Sequence, residues 1–175
     1  MVTVFIEGSS NDKNGNLRQG FGTLFEQKLK GRMPKIILGD DKHSTIRKFK
    51  GDKLSEKKLI LIDLDADEET RDTQLKELEL DKAQTFFMIQ ELEAWFISQS
   101  EVLDSYYDFD IKSKVSKKDP KTISNPSDLL AQLTKKTKKG EYHKVKHATD
   151  LLKKLNLATL EKSFEDVKKL IDTNS

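Results

Sequence analysis

Lys57-Lys58-Leu59-Ile60-Leu61-Ile62-Asp63-Leu64-Asp65 is a basic pair, four unbroken apolar residues, and two carboxylates spaced two apart. An apolar run of that length without polar alternation suits a strand buried on both faces, as parallel sheets bury theirs. Side chains alternate along a strand, so Asp63 and Asp65 are expected on the same side. Two like charges leaving a buried strand cost free energy unless a positive group lies beside them. In open α/β sheets ligands gather outside the carboxyl ends of the strands, where this pair stands, and a divalent cation is the natural counter-charge. A plainer reading is that Asp65 or Asp67 caps the following helix by accepting from its free N–H groups. From these residues alone the two readings stand level.

Upstream, Val2 to Ile6 reads as a first strand ending at Glu7-Gly8. The loop over residues 9–16 is dense in turn formers, which predicts irregular structure. Leu17, Phe21, Leu24, Phe25 and Leu29 then fall at helical spacing, Gly31 ends that helix, and Lys35 to Leu38 forms a second strand. A short basic helix over residues 43–50 leads into the acid-ended strand. Downstream, residues 67–80 predict a polar helix, and Thr85 to Ile89 a fourth strand. Leu92, Phe96, Leu103 and Tyr106 share a helical face, while Glu91 and Glu93 diverge if both are helical. They converge only if the strand-to-helix turn falls between them. Residues 111–121 are lysine-rich and read as an exposed loop. Asn125-Pro126 opens a helix that Gly140 breaks, and two more follow, marked by Val145 to Leu155 and by Leu160 to Ile171. This β/α alternation followed by helices predicts an α/β fold with a mostly parallel sheet flanked by helices. It divides the chain into an α/β core over 1–107 and a helical C-terminal extension over 108–175.

Charge is strongly segregated along the 175 residues. Residues 1–62 carry 13 Lys/Arg against 7 Asp/Glu, residues 63–104 carry 3 against 13, and residues 105–175 carry 16 against 10. The net charge of +2 therefore hides an acidic middle between two basic flanks, able to set a cation site beside surfaces that attract polyanions. Cysteine is absent, so there is no disulfide framework and no thiolate metal site, and a cytoplasmic location is expected. The run from Val2 to Ile6 is too short for a signal sequence, and nothing approaches a membrane span. The absence of G-x-x-x-x-G-K-[ST] excludes a P-loop nucleoside triphosphatase.

If the first and third strands are neighbours, Glu7 emerges beside Asp63 and Asp65. Carboxylates, water and a phosphate oxygen would then complete a shell for Mg²⁺ or Mn²⁺, which take few protein ligands. A first strand ending in Glu-Gly and a later one ending in Asp-x-Asp resembles the TOPRIM fold of topoisomerases, primases and related nucleases. Further segments occur in order: Arg18-Gln19-Gly20-Phe21, Gly31-Arg32-Met33-Pro34-Lys35-Ile36, Gln90-Glu91-Leu92-Glu93-Ala94-Trp95-Phe96, and Tyr142-His143-Lys144 before Leu151-Leu152. Together they resemble a bacterial TOPRIM-like family of unassigned function, often encoded beside an ATPase and linked to anti-phage defence.

The resemblance implies Glu7, Asp63 and Asp65 as metal ligands, Glu93 as a fourth acidic group at the catalytic site, and Arg18 and Lys144 as holders of phosphate or nucleic acid. It implies Mg²⁺- or Mn²⁺-dependent hydrolysis of a phosphodiester. Strand transfer is not expected, because topoisomerases draw their tyrosine from another domain. The alternative is a non-catalytic partner or regulator that docks its acidic face on an ATPase. Trp95, flanked by Leu92 and Phe96, is expected in the core rather than as a base-stacking platform. His143 and His147 have the i, i+4 spacing of a zinc pair but no adjacent acid, and are expected at the surface. The lysines of residues 112–121 and 135–146 are expected either to be solvated or to contact a phosphate backbone.

Overall fold

A computed structural model describes residues 1–9 and 16–174. Most of the loop expected to be irregular, residues 10–15, lies outside the described residues. Four strands, β1 (Val2–Ile6), β2 (Lys35–Leu38), β3 (Lys57–Asp63) and β4 (Thr85–Met88), form one sheet in the order β2-β1-β3-β4. All three pairings are parallel. Leu59 to Ile62 are buried, as an apolar run covered on both faces should be. The first and third strands are neighbours, with Ile6 opposite Leu61, so the condition for bringing Glu7 beside Asp63 is met. Chain order reverses between them, so the carboxyl ends of β1 and β3 flank the crevice where open α/β sheets take ligands.

Helix α1 (Leu17–Leu29) packs against β2 and the C-terminal helices, and α2 (Lys42–Gly51) packs on β1 and β3. After β3 come a 3₁₀ turn (Glu68–Thr70) and α3 (Arg71–Glu77). The single helix expected over residues 67–80 is thus shorter and broken. Only Leu75 within α3 is buried, and Glu79 ends the segment in a left-handed conformation at φ 52°. Helices α4 (Glu93–Ser98) and α5 (Ser100–Tyr107) are separated at Gln99, whose side chain bonds the backbone of Asn156 in both directions at 2.9 Å. That break rotates the buried face, so Leu103 and Tyr107 are buried where Tyr106 was expected.

The lysine-rich stretch is not a plain loop. It contains α6 (Lys112–Val115) and a 3₁₀ turn (Pro120–Thr122), because Ile111 and Val115 lie one helical turn apart and both are buried. Helices α7 (Pro126–Thr134), α8 (Lys144–Lys154), α9 (Leu157–Ser163) and α10 (Glu165–Asn174) complete the chain. One apolar cluster runs from Val4 through Ile171, so sheet and C-terminal helices share a core. Trp95 sits within it as expected, edge-on to Phe21 at 6.2 Å. Helix α8 lies close on α1 because Gly20 has no side chain: a Cβ there would stand 3.0 Å from Leu152 Cβ and 3.2 Å from the Thr149 carbonyl. No helix is long and apolar enough to cross a membrane among the described residues.

Candidate functional site

The ends of β1 and β3 bring Glu7 and Asp63 together. Glu7 Oε2 accepts the Asp63 N–H at 2.9 Å. Gly8, at φ 150°, lets the chain turn away directly after Glu7, and a Cβ there would meet Leu17 Cδ1 at 2.7 Å. Asp63 is buried, and its Oδ1 accepts the Leu92 N–H at 2.9 Å, at the start of α4. One carboxylate oxygen therefore fixes the turn just ahead of α4, which has no side-chain cap bond, and Asp67 makes none at the 3₁₀ turn it precedes. The other, Oδ2, lies 3.3 Å from Lys144 Nζ.

Glu93 opens α4 and is also buried. Its Oε1 accepts from the Tyr142 hydroxyl at 2.7 Å. Its Oε2 has no hydrogen-bond partner and stands 4.0 Å from Lys144 Nζ. Glu91 lies before the helix and points elsewhere, accepting the Ser127 N–H of α7 at 3.1 Å. The strand-to-helix turn does fall between the two glutamates, yet they serve different elements.

Asp65 does not share the placement of Asp63. The strand ends at Asp63, so its alternation stops there, and Asp65 adopts φ 58°. It pairs with Lys42 at the rim, with more than half of its side chain exposed. Arg18 is exposed in the first turn of α1, and its side chain meets none of these carboxylates. Of the expected residues, Glu7, Asp63, Glu93 and Lys144 gather, Asp65 stands at the edge, and Arg18 stays apart. Tyr142 and Lys42 were missed as site residues. Tyr142 lies in the Tyr142-His143-Lys144 segment, but nothing local in a lone tyrosine shows that it bonds a glutamate 49 positions away.

Burial pushes the Asp63 carboxyl up to about 8, Lys144 opposes this, and Glu7, Glu93 and Asp65 add to it. Glu7 is also raised, by burial, against the hydrogen bond from Asp63 and the charges of Lys42 and Lys144. Burial would lower the Lys144 ammonium, but Asp63, Glu93 and Glu7 outweigh it and hold the group above its ordinary value. The two shifts compete, because a protonated Asp63 supports Lys144 less. Desolvation of Asp63 is the larger effect, and its upward direction stands.

The donor set is all oxygen, suited to a hard cation, and Glu93 Oε2 is a buried acceptor that no hydrogen-bond donor satisfies. These features fit Mg²⁺ or Mn²⁺. Among the described residues, however, no group of three or more His, Asp or Glu side chains is placed to hold a metal ion, so a cation here would rest on two carboxylates, with water or substrate completing its shell. Lys144 touches the two that face each other. The histidine pair is not a zinc site either. His143 is exposed, but His147 is buried, contrary to expectation. Its Nδ1 accepts the His143 N–H at 2.9 Å, and its ring lies edge-on to Tyr106 and Tyr107. It belongs to the inward face of α8, with Ala148 and Leu151.

Beside the carboxylates a cleft of about 370 Å³ opens, lined by Glu91, Glu93, Asp128, Tyr142, His143 and Lys144. No curated protein and no solved structure matches the chain. A family model covers all of these residues together with Asp63 and Asp65, beginning after Glu7. The match spans residues 16–173, and the chain belongs to that family, described as a domain of unknown function (DUF4276).

Proposed function

We propose that the protein is a Mg²⁺- or Mn²⁺-dependent nuclease of the TOPRIM type, hydrolysing phosphodiesters of nucleic acid. The observation that carries this reading is the meeting of buried Asp63 and Glu93 beside Glu7, at the carboxyl edge where the strand order reverses. The TOPRIM relationship is supported by a Glu-Gly end and an Asp-x-Asp end on adjacent parallel strands. In this reading Asp63 and Glu93 hold the cation through the oxygens that face Lys144, Glu7 supports it from beside Asp63, Asp65 adds charge from the rim, and Glu93 also positions the attacking water. Lys144 holds the scissile phosphate as a point charge, and Arg18 meets the backbone farther out. The cation, when bound, supplies an ionised water and stabilises phosphoryl charge. A cytoplasmic setting beside an ATPase, in a defence assembly, belongs to the same reading.

The test is thermal unfolding with and without millimolar Mn²⁺, alongside cleavage of single- and double-stranded substrates with the ATPase partner present. Mn²⁺ should raise the wild-type Tm by mass action and leave Asp63→Asn unmoved, and that variant should not cleave. A wild-type melting curve indifferent to Mn²⁺ would sink the metal site and the nuclease with it.

One observation favours a second reading. Lys144 already occupies the free oxygen of Asp63 at 3.3 Å, as a structural lock would. The protein would then be a non-catalytic partner whose acidic face docks on an ATPase. Mn²⁺ would have no effect, and removing Lys144 would simply destabilise the fold.

A further inference from the structure

Each of the two facing carboxylates has one oxygen committed to the fold and one left over. Asp63 Oδ1 takes the Leu92 N–H and Glu93 Oε1 takes the Tyr142 hydroxyl, at 2.9 and 2.7 Å. The remaining oxygens, Asp63 Oδ2 and Glu93 Oε2, both face Lys144 Nζ, at 3.3 and 4.0 Å. A cation drawn to this pair must contend with the ammonium for the same two atoms. The same lysine lines the cleft of about 370 Å³, where the other charged walls include Glu91, Glu93 and Asp128. While Lys144 is engaged by Asp63 and Glu93, three carboxylates outweigh the positive charge the cleft can offer. A phosphate entering it then meets repulsion. A divalent ion on Asp63 and Glu93 would take over their neutralisation and release Lys144, so that a phosphate meets a freed ammonium beside the ion, with only Glu91 and Asp128 left uncompensated.

We infer that this cleft is a phosphate subsite that becomes competent only when a divalent cation displaces Lys144 from Asp63 and Glu93, so that binding is ordered, cation first. The inference rests on the cation reading above and adds to it the order of binding, the place of the phosphate, and a double duty for one lysine. Lys144 is the internal counter-ion of the empty site and the phosphate ligand of the loaded one. Tyr142 is a positioning residue, fixing Glu93 so that Oε2 remains the contested atom.

The experiment is calorimetric titration of wild type, Lys144→Met and Lys144→Arg with MnCl₂, then with thymidine 5′-monophosphate in the presence and absence of Mn²⁺. The affinity of the free ion for the nucleotide is measured separately and subtracted. Lys144→Met should bind Mn²⁺ at least roughly tenfold tighter than wild type, because a positive charge a few ångströms away is gone. It should not bind the nucleotide under either condition. Wild type should bind the nucleotide only with Mn²⁺ present, and Lys144→Arg should keep that dependence. Unchanged or weaker Mn²⁺ binding by the Met variant overturns the inference while leaving the cation site in place. Equal nucleotide binding by wild type with and without Mn²⁺ does the same. No Mn²⁺ binding by wild type or the Met variant removes the cation reading itself, and the inference with it. Should the Met variant not fold, wild type carries the test alone. Nucleotide must then tighten Mn²⁺ by the factor by which Mn²⁺ tightens nucleotide, and absence of that coupling overturns the proposal.

Discussion

Lys144 Nζ lies 3.3 Å from Asp63 Oδ2, although 81 positions separate the two residues. The lysine opens α8, where the helix dipole disfavours a cation, so the contact with buried acid offsets a local disadvantage. The pair ties a C-terminal helix to the carboxyl edge of the sheet.

Asp63→Asn should change the pH dependence of stability. The folded carboxyl is raised to about 8, well above the ordinary range near 4. The folded protein therefore binds more protons than the unfolded chain between those values, and wild-type stability falls as pH rises through that window. Asparagine retains the acceptor for the Leu92 N–H but does not titrate. Its Tm relative to wild type should increase from pH 5 to pH 8.5, at about 2–4 °C per kcal/mol for a chain of this size. A difference independent of pH in metal-free buffer would contradict the raised carboxyl.

Tyr142→Phe removes a buried hydroxyl and leaves Glu93 Oε1 without its donor, at an expected cost of about 1–3 kcal/mol in urea denaturation. Adding Glu93→Gln should recover part of that loss, since the unpaired charge goes too. A double-mutant cycle with zero coupling would show that the hydroxyl and carboxylate act independently.

Two glycines of α1 should respond in opposite directions to alanine. At Gly22 nothing lies within 4 Å of a new Cβ, so Gly22→Ala should stabilise by about 0.4–1 kcal/mol. At Gly20 the new Cβ would press on Leu152 and the Thr149 carbonyl, and Gly20→Ala should destabilise by about 1–3 kcal/mol as α8 is pushed from α1. Equal effects in chemical denaturation would refute the close helix contact.

Asp166 guards the outer edge of the sheet. It accepts the Phe87 N–H of β4 at 2.7 Å and pairs with Arg71 at 3.2 Å. Asp166→Ala would leave the strand N–H without its acceptor and a largely buried guanidinium without its counter-charge, with the Thr85 carbonyl at 3.3 Å remaining, costing about 3–5 kcal/mol. The bared edge should also promote aggregation, visible as light scattering below the Tm. A soluble variant of near-normal stability would refute this role.

Binding to nucleic acid, tested with a fluorescent oligonucleotide, should weaken steeply with salt through the exposed lysines of residues 112–146. Neutralising Lys117, Lys118, Lys135 and Lys136 should flatten the slope of log K against log salt by about 3–4 units on duplex DNA if each meets a phosphate. An unchanged slope would make that surface merely solvated and favour the partner-module reading.

The local signals determined a great deal. The apolar run of Leu59 to Ile62 and the β/α alternation around it specified parallel strands, because burial on both faces leaves a mark in consecutive residues. Glu7, just past the end of β1, and Asp63, at the end of β3, were legible as strand-end carboxylates for the same reason, and the pairing of β1 with β3 makes them neighbours. Alternation misplaced Asp65 because the period of two holds only while the strand continues, and β3 ends at Asp63. The lysine-rich stretch hid Ile111 and Val115, whose burial depends on what packs over them rather than on local composition. Only the tertiary structure decided that Tyr142 holds Glu93 and that Lys144 reaches Asp63. Those contacts arise where helices separated by tens of residues pack together, with Gly20 admitting α8 onto α1, and no periodicity in the chain encodes a distance across such an interface.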